Sequence, residues 1–156
     1  MHDANHHIAH FNIARLRAAP GDPLVAEFVD NVPKVNAVAE RSPGFVWRWK
    51  DETARVDGLT YEAVTEDPLL AISISVWERV VDFENFVRKT VHGSFLRRRQ
   101  SWFEQSVGPN YVIWAVAQGH VPTVAEGLER LAELAGNGPT EQAFDLAYAA
   151  AMELRS

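Results

Sequence analysis

Apolar and polar residues alternate with period two in four stretches of the chain and recur at helical spacing between them. In "HIAHFNIARL" (7–16), Ile8, His10, Asn12 and Ala14 fall on one side of an extended strand, and Ala9, Phe11, Ile13 and Arg15 on the other. "FVWRWK" (45–50) sets Phe45, Trp47 and Trp49 against Val46 and Arg48. "LLAISISVWE" (69–78) alternates Ile72, Ile74 and Val76 with Ser73, Ser75 and Trp77, and "YVIWAVA" (111–117) reads as a fourth strand. Between the first two strands, Val25, Phe28, Val29, Val32, Val35 and Ala39 keep helical spacing from Leu24 to Glu40. Pro33 falls inside that run. A proline within a helix costs about 3 kcal/mol, which predicts a kink or two helical pieces.

Residues 51–68 are polar, hold Gly58 and Pro68, and read as a long connection with a short strand extension around Leu59–Val64. A helix over 80–91 carries Phe83, Phe86, Val87 and Thr90 on one side. Gly93 interrupts it, and a second helical piece over 94–105 carries Phe95, Leu96, Trp102 and Phe103. Thr123 and Glu126 have capping-box spacing and start a helix through Leu128, Leu131 and Leu134. The alanine-rich end, 141–154, is expected to be helical.

The order β-α-β-β-α-β with further C-terminal helices is the ferredoxin-like pattern, an α+β fold with a four-stranded antiparallel sheet. It is expected as one domain over residues 1–156, with 1–6 a flexible tail and 140–156 a C-terminal helical extension. The apolar faces, Phe11 and Ile13 with Ile72, Ile74 and Val76, are expected to pack under the helices. The other faces would carry His10, Asn12, Ser73, Ser75 and Trp77, and with them Val112, Trp114 and Val116. A mixed aromatic and polar sheet face predicts a homodimer enclosing a ligand pocket.

Composition narrows the function classes. The chain of 156 residues has 47% hydrophobic and 23% charged residues, ordinary for a globular protein. It has no cysteine, which excludes disulfides, thiolate metal sites and cysteine nucleophiles. A net charge of −6 gives no reason to expect a nucleic-acid partner, and the one basic run, Arg97–Arg99, is too short to argue for one. The absence of a long apolar run or of a signal-peptide core predicts a cytoplasmic protein without a membrane partner.

Four of the six histidines, His2, His6, His7 and His10, lie in the first ten residues. Strand geometry separates them. His6 and His7 point to opposite faces, while His6 and His10 share a face roughly 13 Å apart, too far to share an ion. No metal site is expected, and only His10 is carried toward the pocket. P-loop, dinucleotide-glycine, HExxH and GxSxG motifs are absent from the sequence.

The segments "HIAHFNIARLRAAP" (7–20), "VNAVAERSPGFVWR" (35–48), "ISVWE" (74–78), "RRRQSWFE" (97–104) and "YVIWAVAQGHVPTVAEGLERL" (111–131) resemble a bacterial domain family of unknown function. That family belongs to the dimeric α/β-barrel superfamily, together with antibiotic-biosynthesis monooxygenases and haem-degrading monooxygenases. The resemblance implies a site made of an asparagine on the first strand, a tryptophan ending the third and a histidine on the following helix: Asn12, Trp77 and His92. In cofactor-free members such residues hold an electron-rich phenol against oxygen. In haem-degrading members the histidine binds iron. The spacing from Trp77 to His92 is longer than the haem enzymes lead one to expect.

Each candidate has a plainer alternative. Asn12 is disfavoured within a strand, so it either hydrogen-bonds across an interface or binds a ligand. Trp77 is a core residue or a pocket wall. His92, just before Gly93, is a general base, an axial ligand or a cap on the helix dipole. Three consecutive arginines spread over some 200° of a helix, so one or two of them can face a pocket. Arg98 and Trp102, four residues apart, could stack there.

The leading expectation is a homodimeric, cofactor-free monooxygenase acting on a small aromatic or polyketide-like substrate. Its pocket would lie under residues 80–105, with Asn12, Trp77 and His92 catalytic and His10, Ser73, Ser75, Arg98, Trp102 and Trp114 binding substrate. The rivals are a cofactor-free cyclase, isomerase or dehydratase, haem binding through His92, and a non-catalytic ligand-binding dimer.

Overall fold

Strand β1 (His6–Arg15) is the spine of the sheet and bonds along both edges. The computed structural model of the protein describes residues 5–50, 67, 69–92 and 98–155, with the backbone alone at Val91 and His92. The chain continues through a short 3-10 turn (Pro23–Val25) into α1 (Ala26–Glu40), then β2 (Phe45–Arg48), β3 (Leu70–Trp77) and α2 (Val80–His92). A single-turn helix α3 (Arg99–Trp102) precedes β4 (Tyr111–Ala117), α4 (Val124–Asn137) and α5 (Leu146–Ala151). The four strands run in the order β2-β3-β1-β4 with every pairing antiparallel, the ferredoxin-like arrangement. Helix α1 runs through Pro33 as one element, and Pro33 is exposed. On that side of the helix the carbonyl deprived of its partner can bond to water.

Register fixes which side chains share a face. Phe11 lies opposite Ile74 on one side and Val112 on the other, while His10 lies opposite Ser75 and Ile113. Val112, Trp114 and Val116 therefore share the Phe11 face, not the His10 face expected from the sequence. Alternation within a strand leaves its phase against a neighbour open, and a one-residue slip exchanges the faces. β2 departs from expectation too. A bulge between Phe45 and Trp47 pairs Phe45 with Trp77 and Trp47 with Val76, so the aromatic row divides between the two faces.

Helices cover both faces. Under α4 lie Ala9, Phe11, Ile72, Ile74, Val76, Val112, Trp114 and Val116, packed with Val124, Leu128, Leu131 and Leu134. Thr123 Oγ1 accepts from the Glu126 amide at 3.1 Å and starts this helix as the capping box predicts. Gly127 lets the helix sit directly on Phe11, since a Cβ there would lie 2.2 Å from a ring carbon. On the other face Ile8, Trp77 and Ile113 pack with Val80 and Phe83 of α2, Ala39 of α1 and Ala149 of α5. The Phe11 face thus packs under a helix as expected, that helix being α4, while α1, α2 and α5 cover the His10 face as well. Both faces are largely apolar, and the crossing of the chain decides which helix covers which. The C-terminal segment is helical only over α5; before it, Phe144 exchanges backbone bonds with Ile113 at 2.8 and 2.9 Å along the outer edge of β4. The expected strand around Leu59–Val64 lies outside the described residues, as do residues 94–97 of the expected second helical piece, whose described part is helical only over Arg99–Trp102.

Candidate functional site

The face shared by His10, Asn12, Ser73, Ser75 and Trp77 is apolar at both ends and polar in the middle. At one end Trp77 is fully buried among Phe45, edge-on at 5.4 Å, and Phe86, stacked at 5.2 Å. At the other, Leu16, Val25, Ala71, Trp102 and Phe103 form a separate cluster. Leu16, just past the end of β1, lies six residues beyond His10, roughly 20 Å along an extended chain. Between them run the cross-strand pairs His10–Ser75 and Asn12–Ser73, with Tyr111 opposite Asn12 on β4.

The hydrogen bonds in this band form a chain. The Trp77 indole Nε1 donates to Ser75 Oγ at 2.9 Å, and Ser75 Oγ lies 3.3 Å from His10 Nδ1. The indole has only a donor to offer, so Ser75 accepts there; its hydroxyl keeps one proton and one lone pair, and the direction of its bond with Nδ1 follows the His10 tautomer. Phe83 covers the imidazole with ring centroids 4.4 Å apart, and the Tyr111 ring lies 6.2 Å away. Burial pulls the His10 pKa down to about 3, so the ring is neutral at physiological pH. Burial also raises the Tyr111 phenol, whose oxygen accepts from the Leu146 amide at 3.0 Å. The band is not sealed, for Ser73 is exposed and Asn12 half-buried. Aromatic rings, one neutral imidazole and the exposed Ser73 beside half-buried Asn12 are chemistry that suits a planar ligand carrying an oxygen acceptor.

The other expected site residues separate from this band. Trp114 lies on the opposite sheet face, 1% exposed, and donates from Nε1 to Glu126 Oε2 at 2.9 Å. It cannot wall one pocket with Trp77. His120 Nε2 holds the other Glu126 oxygen at 2.8 Å. Burial works to raise the Glu126 pKa, but the bonds from His120 and Trp114 outweigh it and hold the carboxyl below its ordinary value. Trp102 belongs to the distant Leu16 cluster. Arg98 is spread over the Glu27 carboxylate, with Nη1 at 2.5 and 2.7 Å from its two oxygens, on the exposed surface. His92 closes α2, and its side chain lies outside the described residues. Among the described residues no group of three or more His, Asp or Glu could hold a metal ion, and no helix is long and apolar enough to cross a membrane.

The match to known families is nearly end to end: residues 7–155 fit the model of a domain of unknown function, DUF3291. The chain belongs to that family. No curated protein matches the sequence. Among solved structures, a Nitrosomonas europaea protein of unknown function, NE2512, is 10% identical with a TM-score of 0.49, over 78% of this chain and 97% of its own. SnoaB, a cofactor-independent oxygenase from Streptomyces nogalater, is 15% identical with a TM-score of 0.49, over 75% and 98%. PA3566 from Pseudomonas aeruginosa is 12% identical with a TM-score of 0.47, over 74% and 97%.

For this DUF3291 chain, sequence reasoning named four of the band's residues, His10, Asn12, Ser73 and Ser75, and its end wall Trp77. It missed Phe83 and Tyr111. Phe83 is conspicuous on the apolar side of its helix, but only tertiary packing lays it on His10. Tyr111 enters through the β1–β4 register, which puts it opposite Asn12.

Proposed function

We propose that this protein binds a small aromatic or polyketide-like molecule on the His10 face and oxygenates it without a cofactor. The observation that carries the reading is the His10 imidazole, bonded to Ser75, flanked by Phe83 and Tyr111 and linked through Ser75 to Trp77, beside the more exposed Asn12–Ser73 pair. A neutral imidazole of such low basicity is a poor proton acceptor and a good hydrogen-bond donor. It would stabilise the anion formed when a phenol or an activated methylene loses its proton. In such an oxygenation a methylene becomes a carbonyl, dioxygen takes the four electrons, and its second oxygen atom leaves as water. The proton acceptor expected from the family resemblance is His92, with Asn12 orienting the substrate. The resemblance also leads us to expect a homodimer, which sedimentation would measure.

The experiment is to incubate the protein, free of added metal and haem, with tricyclic phenols and anthrones. Tryptophan fluorescence would follow binding, and an oxygen electrode turnover. Saturable quenching with oxygen uptake supports the reading. Absence of binding, or turnover only after haemin is added, overturns it.

The same donor would serve an enolate. A cyclisation or isomerisation that needs no oxygen is therefore the second reading, and turnover persisting under anaerobic conditions would select it.

A further inference from the structure

We propose that Ser75 is a positioning residue: it holds His10 as the Nε2–H tautomer and so selects ligands that present a phenolate or carbonyl oxygen to that nitrogen. This deepens the reading above and rests on it for the identity of the ligand.

Three observations converge. Ser75 and His10 are directly opposite on the antiparallel β1–β3 pair, so the backbone ladder itself sets their separation. Trp77, two residues along the same strand and fully buried, occupies one lone pair of the Ser75 oxygen with its indole proton. One hydroxyl proton then remains, and His10 Nδ1 lies within its reach at 3.3 Å. Among the described residues no hydrogen bond reaches Nε2. A donor left this way favours an oxygen acceptor and disfavours a cation or a second donor, because unmatched donors lose their solvation on binding. Trp77 thereby gains a role beyond that of a wall. It biases the serine, and the serine biases the histidine.

The test begins without ligand. In the uniformly 15N-labelled full chain, imidazole nitrogen spectra near neutral pH should show His10 as the Nε2–H tautomer, its signals assigned by their loss in His10→Gln. Ser75→Ala should shift the ring toward a mixture of tautomers, and Ser75→Thr, which keeps the hydroxyl, should restore the wild-type pattern. A wild-type ring protonated on Nδ1, or one unchanged by Ser75→Ala, overturns the proposal.

The second arm compares para-nitrophenolate with para-nitroanisole, which lacks the anionic oxygen. The phenolate should bind more tightly, and Ser75→Ala should weaken it in proportion to the loss of the Nε2–H form, about twofold for an even mixture of tautomers. His10→Gln, with an N–H donor placed as Nε2 is, should weaken it less than His10→Leu. Equal affinity for the two probes overturns the selectivity. If the tautomer is as stated but neither probe binds, the aromatic-ligand reading falls and the selection with it. If both probes bind but the tautomer is wrong, this inference alone falls.

Discussion

Ser75 Oγ sits 3.3 Å from His10 Nδ1, sixty-five residues away in the chain and directly across the β1–β3 ladder. The contact is buried, and the imidazole next to it is neutral because burial penalises its charged form.

That neutrality has a consequence for stability. Folded, the ring resists protonation down to about pH 3, whereas unfolded it titrates near its ordinary value of 6.5. Between those values the unfolded chain binds the extra proton. The contribution is therefore complete above the unfolded pKa and is lost as the pH falls toward the folded one, with a slope of at most about 1.4 kcal/mol per pH unit. His10→Gln should flatten this dependence. Urea midpoints compared between about pH 7 and about pH 5 would check it, and an unaltered slope would show that His10 titrates normally in the folded protein.

On the far face, Glu126 joins the buried indole of Trp114 to the exposed ring of His120. Glu126→Ala should destabilise by about 1–3 kcal/mol, since the indole donor is left unpaired. Glu126→Gln should cost less, because it keeps an acceptor for Trp114. The Glu126 pKa is held low in the folded state, so its contribution is present above the ordinary carboxylate pKa and is lost as the pH falls through the folded value. Thermal melts of both variants in neutral and acidic buffer would measure this.

Gly127 is required by contact with Phe11. In Gly127→Ala the new Cβ would lie 2.2 Å from the ring, and overpacking of this kind costs about 1–3 kcal/mol. Phe11→Leu in the same chain should recover part of the loss. A double-mutant cycle by denaturant unfolding should therefore show coupling between the two positions, and strict additivity would refute the contact.

Trp77 and Trp102 lie on one sheet face but in different clusters. Trp102→Phe should cost on the order of 1–3 kcal/mol of stability and leave para-nitrophenolate affinity unchanged. Trp77→Phe removes the indole bond to Ser75 and should weaken that affinity. Calorimetric titration of both variants separates the two roles, and equal losses of affinity would put the ligand elsewhere on the face.

Much of this was legible in the chain. The alternation in "LLAISISVWE" placed Ser73, Ser75 and Trp77 on one side of β3, "HIAHFN" placed His10 with Asn12, and Thr123 with Glu126 marked the start of α4. These features are local, since a period of two or a capping box involves neighbouring residues and needs no partner. Element order followed from the same signals, and with it the ferredoxin-like fold. What the chain could not show was phase. The register of β4 against β1 moved Trp114 away from Trp77, the bulge in β2 sent Phe45 and Trp47 to different faces, and Glu27, far off in sequence, took Arg98 to the surface. These outcomes depend on hydrogen-bond ladders and packing between segments distant in the chain, energies that appear only once the segments meet. The neutral imidazole of His10 belongs with them. Its place on β1 is written in the sequence, but its partner on β3 and the helix that buries it were decided by the tertiary fold.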